Sequence, residues 1–310
     1  MILNQKRIIS LLAAGTEIVC ELGLEDQLVG RSHECDYPKS ILHLPVCSSA
    51  MLDPMASSLE IDKQVKGVLT DALSFYQIDR ELIKTLKPNI IITQTQCEVC
   101  AVSLSDVEKA LENLLDYSVE IISLEPDNLN AVFNDIKTVS EILGVPDRGA
   151  DVLDRMHERL DLIKHKLKFI TQKPTVACIE WLSPLMMAGN WTPEMVDIAG
   201  GQSVLAISGK HSPMIEWMDL VQADPEIMVV MPCGFNIERT LKEMDILLQQ
   251  SYFQDLQAVK NNKLFIADGN QYFNRSRPRI VDSVEILAEI INPKQFIFGY
   301  EGEGWIKFSV

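Results

Sequence analysis

The residue types able to bind or react concentrate in a few loops. Arg31-Ser32-His33-Glu34-Cys35-Asp36-Tyr37-Pro38 holds a thiol, an imidazole, two carboxylates and a phenol ring within one short stretch. Gln94-Thr95-Gln96-Cys97-Glu98-Val99-Cys100 places two thiols at C-x-x-C spacing, which can chelate one metal ion or form a redox pair. His33 and Cys35 follow one strand and Cys97 and Cys100 another. On the same side of a sheet, these four residues would form a three-thiolate, one-imidazole set suited to zinc or iron. The alternative is an ordinary polar loop and two free thiols in a packed one, and the spacing leaves both open.

Later in the chain, Glu180-Trp181 and Trp191 flank Met186-Met187 and Gly189, residue types that would wall a large flat ligand or the edge of a core. Phe235 closes another strand-end loop, Met231-Pro232-Cys233-Gly234-Phe235. The last group runs through Asp268, Asn270, Tyr272, Asn274, Arg275, Arg277 and Arg279. Its three arginines precede a helix and oppose the positive end of the helix dipole. A bound carboxylate or phosphate would relieve that conflict, as would pairing with Asp282 or Glu285. Ser276 or Asn274 is suited to cap that helix, with Pro278 near its first turn.

Buried strands are expected at 7–11, 28–30, 90–93, 119–124, 175–179, 227–231 and 264–267, with helices at 16–22, 78–86, 105–115, 193–199 and 278–291. Thr16 is the expected cap of the first helix. Continuous apolar strands alternating with helices imply parallel sheets covered on both faces. Between the two halves, Leu153, Met156, Leu160, Ile163, Leu167 and Ile170 recur at helical spacing, with Arg159 among the charges on the opposite, solvated face. Pro146 suits the start of this long helix and Lys173-Pro174 its end. Residues 81–92 and 218–229 share one pattern of helix, proline turn and buried strand on either side of it. The expected organisation is an N-terminal α/β lobe (1–128), linking helices (129–173) and a C-terminal α/β lobe (174–310), with a ligand cleft between lobes.

A net charge of −16 argues against nucleic acid and against an anionic membrane surface as partners. No apolar run reaches the length of a membrane span. Lys6-Arg7 and the apolar residues after them mimic a secretion signal, but the run is short and leads into Gly15-Thr16-Glu17 without an evident cleavage site, so it reads as a first strand. Seven cysteines, an odd number, fit free thiols in a reducing compartment, which gives a cytoplasmic expectation. Within that pattern, Cys20 and Cys178 read as core thiols on a helix and a strand.

The order of Ser10-Leu11-Leu12-Ala13-Ala14-Gly15-Thr16-Glu17-Ile18, Asp36-Tyr37-Pro38, Leu86-Lys87-Pro88-Asn89-Ile90 and Gly200-Gly201 resembles the helical-backbone (class III) substrate-binding proteins, in particular those that bind vitamin B12 in cobalamin uptake systems. The resemblance implies two Rossmann-like lobes joined by one nearly rigid helix, and a tyrosine, here Tyr37, lining the ligand cleft. It makes a corrinoid such as cobalamin the expected ligand, with His33, Glu34, Tyr37, Gln96, Glu180, Trp181, Trp191, Phe235, Asn270, Tyr272, Arg275 and Arg277 as candidate contacts. No nucleophile triad, phosphate-binding loop or H-E-x-x-H stands in the chain, which points to binding rather than catalysis. A metal-dependent enzyme or metal-binding protein built on His33, Cys35, Cys97 and Cys100 is the alternative. The resemblance also implies one docking glutamate per lobe for a membrane permease. Glu81 matches in the first lobe, but Met218 occupies the equivalent place in the second, so permease docking is not expected.

Overall fold

The computed structural model describes residues 6–70, 76–95, 102–111, 114–115 and 117–309. Two compact units divide the chain. Unit 1 comprises Met1–Ala56, Lys63–Pro126 and Ala131–Leu153, and unit 2 comprises Ser57–Asp62, Asp127–Asn130 and Asp154–Val310. The first half of the sequence forms β1 (Ile8–Ser10), α1 (Ala13–Glu21), β2 (Leu28–Arg31), β3 (Ser48–Ala50), α2 (Ser58–Thr70), β4 (Tyr76–Ile78), α3 (Arg80–Leu86), β5 (Ile90–Gln94), α4 (Leu104–Leu111) and β6 (Glu120–Leu124). Next come α5 (Leu129–Ile142) and the long α6 (Pro146–Leu167), within which the chain passes from unit 1 to unit 2.

Unit 1 is organised around a four-stranded parallel sheet ordered β2-β1-β5-β6. Every residue of β1 and of β5 is buried, as expected for strands covered on both faces. Ile9, Leu11, Ile83, Ile91 and Val107 meet in one core cluster. The chain leaves β1 toward β2 on one side and reaches β5 on the other, so the C-terminal end of β1 is a topological switch point, where open α/β sheets take their ligands.

The second half supplies β7 (Thr175–Trp181), β8 (Met186–Met187), α7 (Thr192–Ile198), β9 (Gln202–Ser203), α8 (Trp217–Ala223), β10 (Ile227–Val230), α9 (Ile237–Glu243), α10 (Asp245–Leu248), α11 (Gln257–Lys260), β11 (Leu264–Ala267), α12 (Ile280–Ile291) and β12 (Trp305–Lys307). In unit 2, β7, β10 and β11 pair in parallel. Short β8 and β12 close the two edges in antiparallel fashion, which the all-parallel expectation lacks. Unit 2 also draws in the start of α2. Both carboxylate oxygens of Glu243 accept from the Ser58 amide at 3.1 Å and so cap that helix. In the same way Glu194 accepts from the Leu129 amide at the start of α5, at 2.8 Å.

Several boundaries differ from the sequence reading for local reasons. Thr16 lies inside α1 rather than capping it; Leu12 holds the cap position, and the Thr16 hydroxyl donates to the Cys35 thiol at 3.0 Å instead. The single helix expected at 78–86 is a strand followed by a helix, because the Asp79 carboxylate accepts from the Leu82 amide and starts α3 there. Neither Ser276 nor Asn274 caps α12, which begins at Ile280 behind Arg279.

Helix α6 buries Met156, Leu160, Ile163 and Leu167 along one stripe, while its neighbour Arg159, only partly exposed, is ion-paired rather than simply solvated. Its guanidinium reaches Asp282 at 2.6 Å and Glu285 at 2.6 and 2.9 Å on α12. Burial opposes its charge, but these two carboxylates outweigh burial and hold its pKa above the ordinary value. The acids considered as partners for the later arginines thus serve the long helix.

In unit 1, burial and then the nearby Glu125 charge push the α5 carboxyl of Asp135 up to about 7. A folded pKa above the unfolded one means the folded state binds more protons between these values. Stability is therefore full below about pH 4 and falls as pH rises toward 7. With solvent screening allowed for, Asp135→Asn should gain on the order of 1–3 kcal/mol over the wild type at pH 8 and almost nothing at pH 4. Denaturant titrations at the two pH values check this, and an equal effect at both would remove the assigned cause.

Candidate functional site

The site candidates of unit 1 gather beyond the C-terminal ends of β1 and β2. The Ser10 carbonyl accepts from the Ser32 amide at 2.8 Å, which turns the chain across the end of β1. Within that turn the residues diverge. Cys35 is fully buried, its sulfur between the Thr16 hydroxyl and the Ser10 carbonyl. The His33 Nδ1 instead meets the Ser48 hydroxyl at 3.0 Å, with its ring 5.4 Å from that of Tyr76 and its Nε2 3.4 Å from the Glu34 carboxylate. Burial lowers the His33 pKa against the opposing pull of Glu34, which favours a neutral imidazole at neutral pH. Tyr37 is 40% exposed.

Gln96, Cys97 and Cys100 lie outside the described residues. Among the described residues, no three or more His, Cys, Asp or Glu side chains are grouped to hold a metal ion. Cys35 and His33 point to different partners, so the fold gives the soft thiol a packing role.

In unit 2 the loops after β7, β10 and β11 are bonded into one platform. The Cys233 amide donates to the Glu180 carbonyl at 3.0 Å, and the Asn270 amide to the Phe235 carbonyl at 3.1 Å. Trp181 and Phe235 meet as a tilted ring pair with centroids 5.2 Å apart. Arg239 lies over the other ring, its guanidinium carbon 4.1 Å from the Phe235 centroid. The Glu180 carboxylate accepts from the Ser212 hydroxyl at 2.8 Å. Arg275 donates to the Asn270 side chain at 2.8 Å. The loop after β11 is a π turn, Gly269–Phe273, started by Asp268, which accepts from the Gln271 amide. Burial raises the Asp268 pKa, while those turn amides, Arg275 and Arg277 pull the other way.

The platform thus unites Glu180, Trp181, Phe235, Asn270 and Arg275. Trp191 and Arg277 sit behind it. Trp191 is 7% exposed and donates its indole N–H to the Phe273 carbonyl, and Arg277 is fully buried. Tyr272 is half-buried, edge-on to Tyr300 at 5.9 Å. Sequence reasoning missed Arg239, Ser212 and Ser48. Only Arg239 had a signal: Asn236 is a cap-type residue, and its side chain accepts from the Arg239 amide to start α9. The chemistry available is aromatic contact flanked by hydrogen-bond acceptors and guanidinium groups.

The chain belongs to the periplasmic binding protein family, whose model matches residues 8–270. It is 22% identical over 285 residues to a vitamin B12-binding protein of Vibrio parahaemolyticus, covering 92% of this chain and 88% of that one. It is also 22% identical over 299 residues to an ABC transporter substrate-binding lipoprotein, YvrC, of Bacillus subtilis, covering 94% and 81%. Among solved structures, IsdE of S. aureus complexed with heme superimposes with a TM-score of 0.70 at 16% identity, over 93% of this chain and 100% of that one, a likeness of fold.

These findings overturn the cytoplasmic expectation: the family is one of periplasmic proteins, and a matched relative is a lipoprotein. The cysteine argument failed because Cys35, Cys47 and Cys178 are buried. Burial pushes the Cys47 and Cys178 thiols up to about 12, so they stay protonated and inert in either compartment. The expectation of no permease docking finds no support in relatives of this kind.

Proposed function

We propose that the protein is the solute-binding component of an uptake system, that its ligand is a corrinoid of the cobalamin type, and that it hands this ligand to a membrane permease. Trp181 packed on Phe235 at the joined ends of β7 and β10 carries the reading, since a ring pair at a sheet's C-terminal end suits the face of a flat macrocycle. In unit 1, Tyr37 and His33 are the proposed contacts. A haem-type macrocycle is the second reading. Arg275 and Arg279 favour it, because guanidinium groups match carboxylate side groups that an amide-rimmed corrinoid lacks.

Titrating the purified protein with aquocobalamin and separately with haemin, read by calorimetry and tryptophan quenching, decides between them. Corrinoid binding at micromolar or better affinity is expected. Trp181→Ala should weaken it by roughly 10- to 100-fold, the loss of one buried aromatic contact. Tight haemin binding without corrinoid binding selects the second reading, and absence of both removes the proposal.

A further inference from the structure

Although the chain carries 44 acidic residues, no Asp or Glu stands between Asp161 and Glu180, nor between Glu289 and Glu301. These two acid-free stretches meet in unit 2. Lys166, near the end of α6, lies over the ring of Phe296 at 5.3 Å, and Phe296 stacks on Phe298 at 5.5 Å. Two apolar side chains protrude from this junction: Phe169 is 86% and Ile297 90% exposed. Lys164, Lys166, Lys168, Lys173 and Lys294, all exposed, lie in the same two stretches. Asp161 pairs with Lys164 and Asp197 with Lys173, while Lys166 and Lys168 lie over aromatic rings. Attraction to the helix dipole accounts for Lys164 and Lys166 in the last turn of α6, but not for Lys168, Lys173, Lys294 or the exposed apolar tips.

We propose that unit 2 docks on an anionic lipid surface through the end of α6 and residues 292–299. Protruding aromatic and aliphatic tips in lysine-rich, acid-free stretches suit a bilayer, which takes the tips below its headgroups while the amines stay at the phosphates. A folded protein partner would need matching pockets. The hollow beside the patch, floored by Leu167, Ile170 and Ile198, holds about 230 Å³, below the usual range for a ligand pocket, and does not compete as an explanation. The net charge of −16 does not oppose docking at this point. At physiological salt, charges farther than about 8 Å are largely screened, so the local lysines dominate. Each lysine near an anionic surface contributes roughly five-fold in binding.

The test is co-sedimentation of the intact protein with vesicles of phosphatidylcholine alone and of phosphatidylcholine with about 30 mol% phosphatidylglycerol. At low salt, at least about ten-fold more protein should partition to the anionic vesicles, and most of that excess should vanish near 0.5 M salt, where screening is about 4 Å. The double variants Phe169→Ser/Ile297→Ser and Lys166→Glu/Lys168→Glu, checked for unchanged melting and ligand binding, should each lose most of the excess. Equal partition to both vesicles, or full binding by both variants, overturns the proposal. So does a protein that ignores vesicles but forms a dimer abolished by the same variants, since the patch would then cover a second copy.

Discussion

Gly269→Ala is expected to abolish ligand binding and to cost about 3–4 kcal/mol of stability, at or just above the upper end of the usual range of about 1–3 kcal/mol for overpacking, because it forces backbone apart. A Cβ at this position would stand 2.1 Å from the Pro232 carbonyl oxygen and 2.6 Å from that of Met231, both main-chain atoms that no rotamer change can move. Relief requires the loops after β10 and β11 to part. That would break the Asn270 to Phe235 bond and the bond from the Asn274 side chain to the Met231 carbonyl. Those contacts hold Phe235 against Trp181, so the ring platform would be lost with them. Gly234→Ala is the proper comparison. It lies at φ +74° with open space around it, and should cost only about 1–2 kcal/mol of local strain. Melting curves and macrocycle titrations of the two variants check this, and equal effects would mean the loops can separate freely.

A comparably large loss is expected for Glu289→Ala. The carboxylate of Glu289, on α12 and 4% exposed, accepts from the Gly299 amide at 2.6 Å, the Tyr300 amide at 3.3 Å, the Trp305 indole at 2.8 Å and the Phe298 amide. Removing it leaves the Trp305 indole buried without an acceptor, at about 1–3 kcal/mol, and three part-buried amides that water can reach at a smaller cost, so a net loss of about 3–5 kcal/mol is expected. The effect should reach the platform, because β12 pairs with β11 and the Gly304 carbonyl accepts from the Asp268 amide at 2.9 Å. A red-shifted tryptophan emission and a lowered melting temperature are the measured signs. Unchanged emission would show that the segment is held by β12 pairing alone.

What the sequence disclosed and withheld follows from the range of the interactions concerned. The runs Ile90-Ile91-Ile92 and Leu264-Phe265-Ile266-Ala267 announce buried strands because burial on both faces is written in consecutive residues. The Gly144–Pro146 punctuation and the 3–4 spacing place α6 within a few residues of its observed end at Leu167. The ring pair Trp181–Phe235 joins two strand ends, and only the likeness to a family and the strand order suggested that these loops would meet. Arg159 was assigned to solvent because periodicity separates faces but cannot see a carboxylate pair more than a hundred residues away. Cys35 looked chemically eligible, and nothing local in the sequence shows that its sulfur turns inward to Thr16.

The capping of α2 by Glu243 also bears on how the chain is made. Nearly all of unit 1 emerges from the ribosome before unit 2 exists, but the Ser58 amide waits for an acceptor 185 residues downstream. At translation rates of about 5–20 residues per second, that interval is roughly 10–40 s. During vectorial synthesis the first turn of α2 therefore has only its local cap, in which the Ser57 hydroxyl accepts from the Glu60 amide and the Glu60 carboxylate from the Ser57 amide, and the arrival of α9 determines when the Ser58 amide is satisfied.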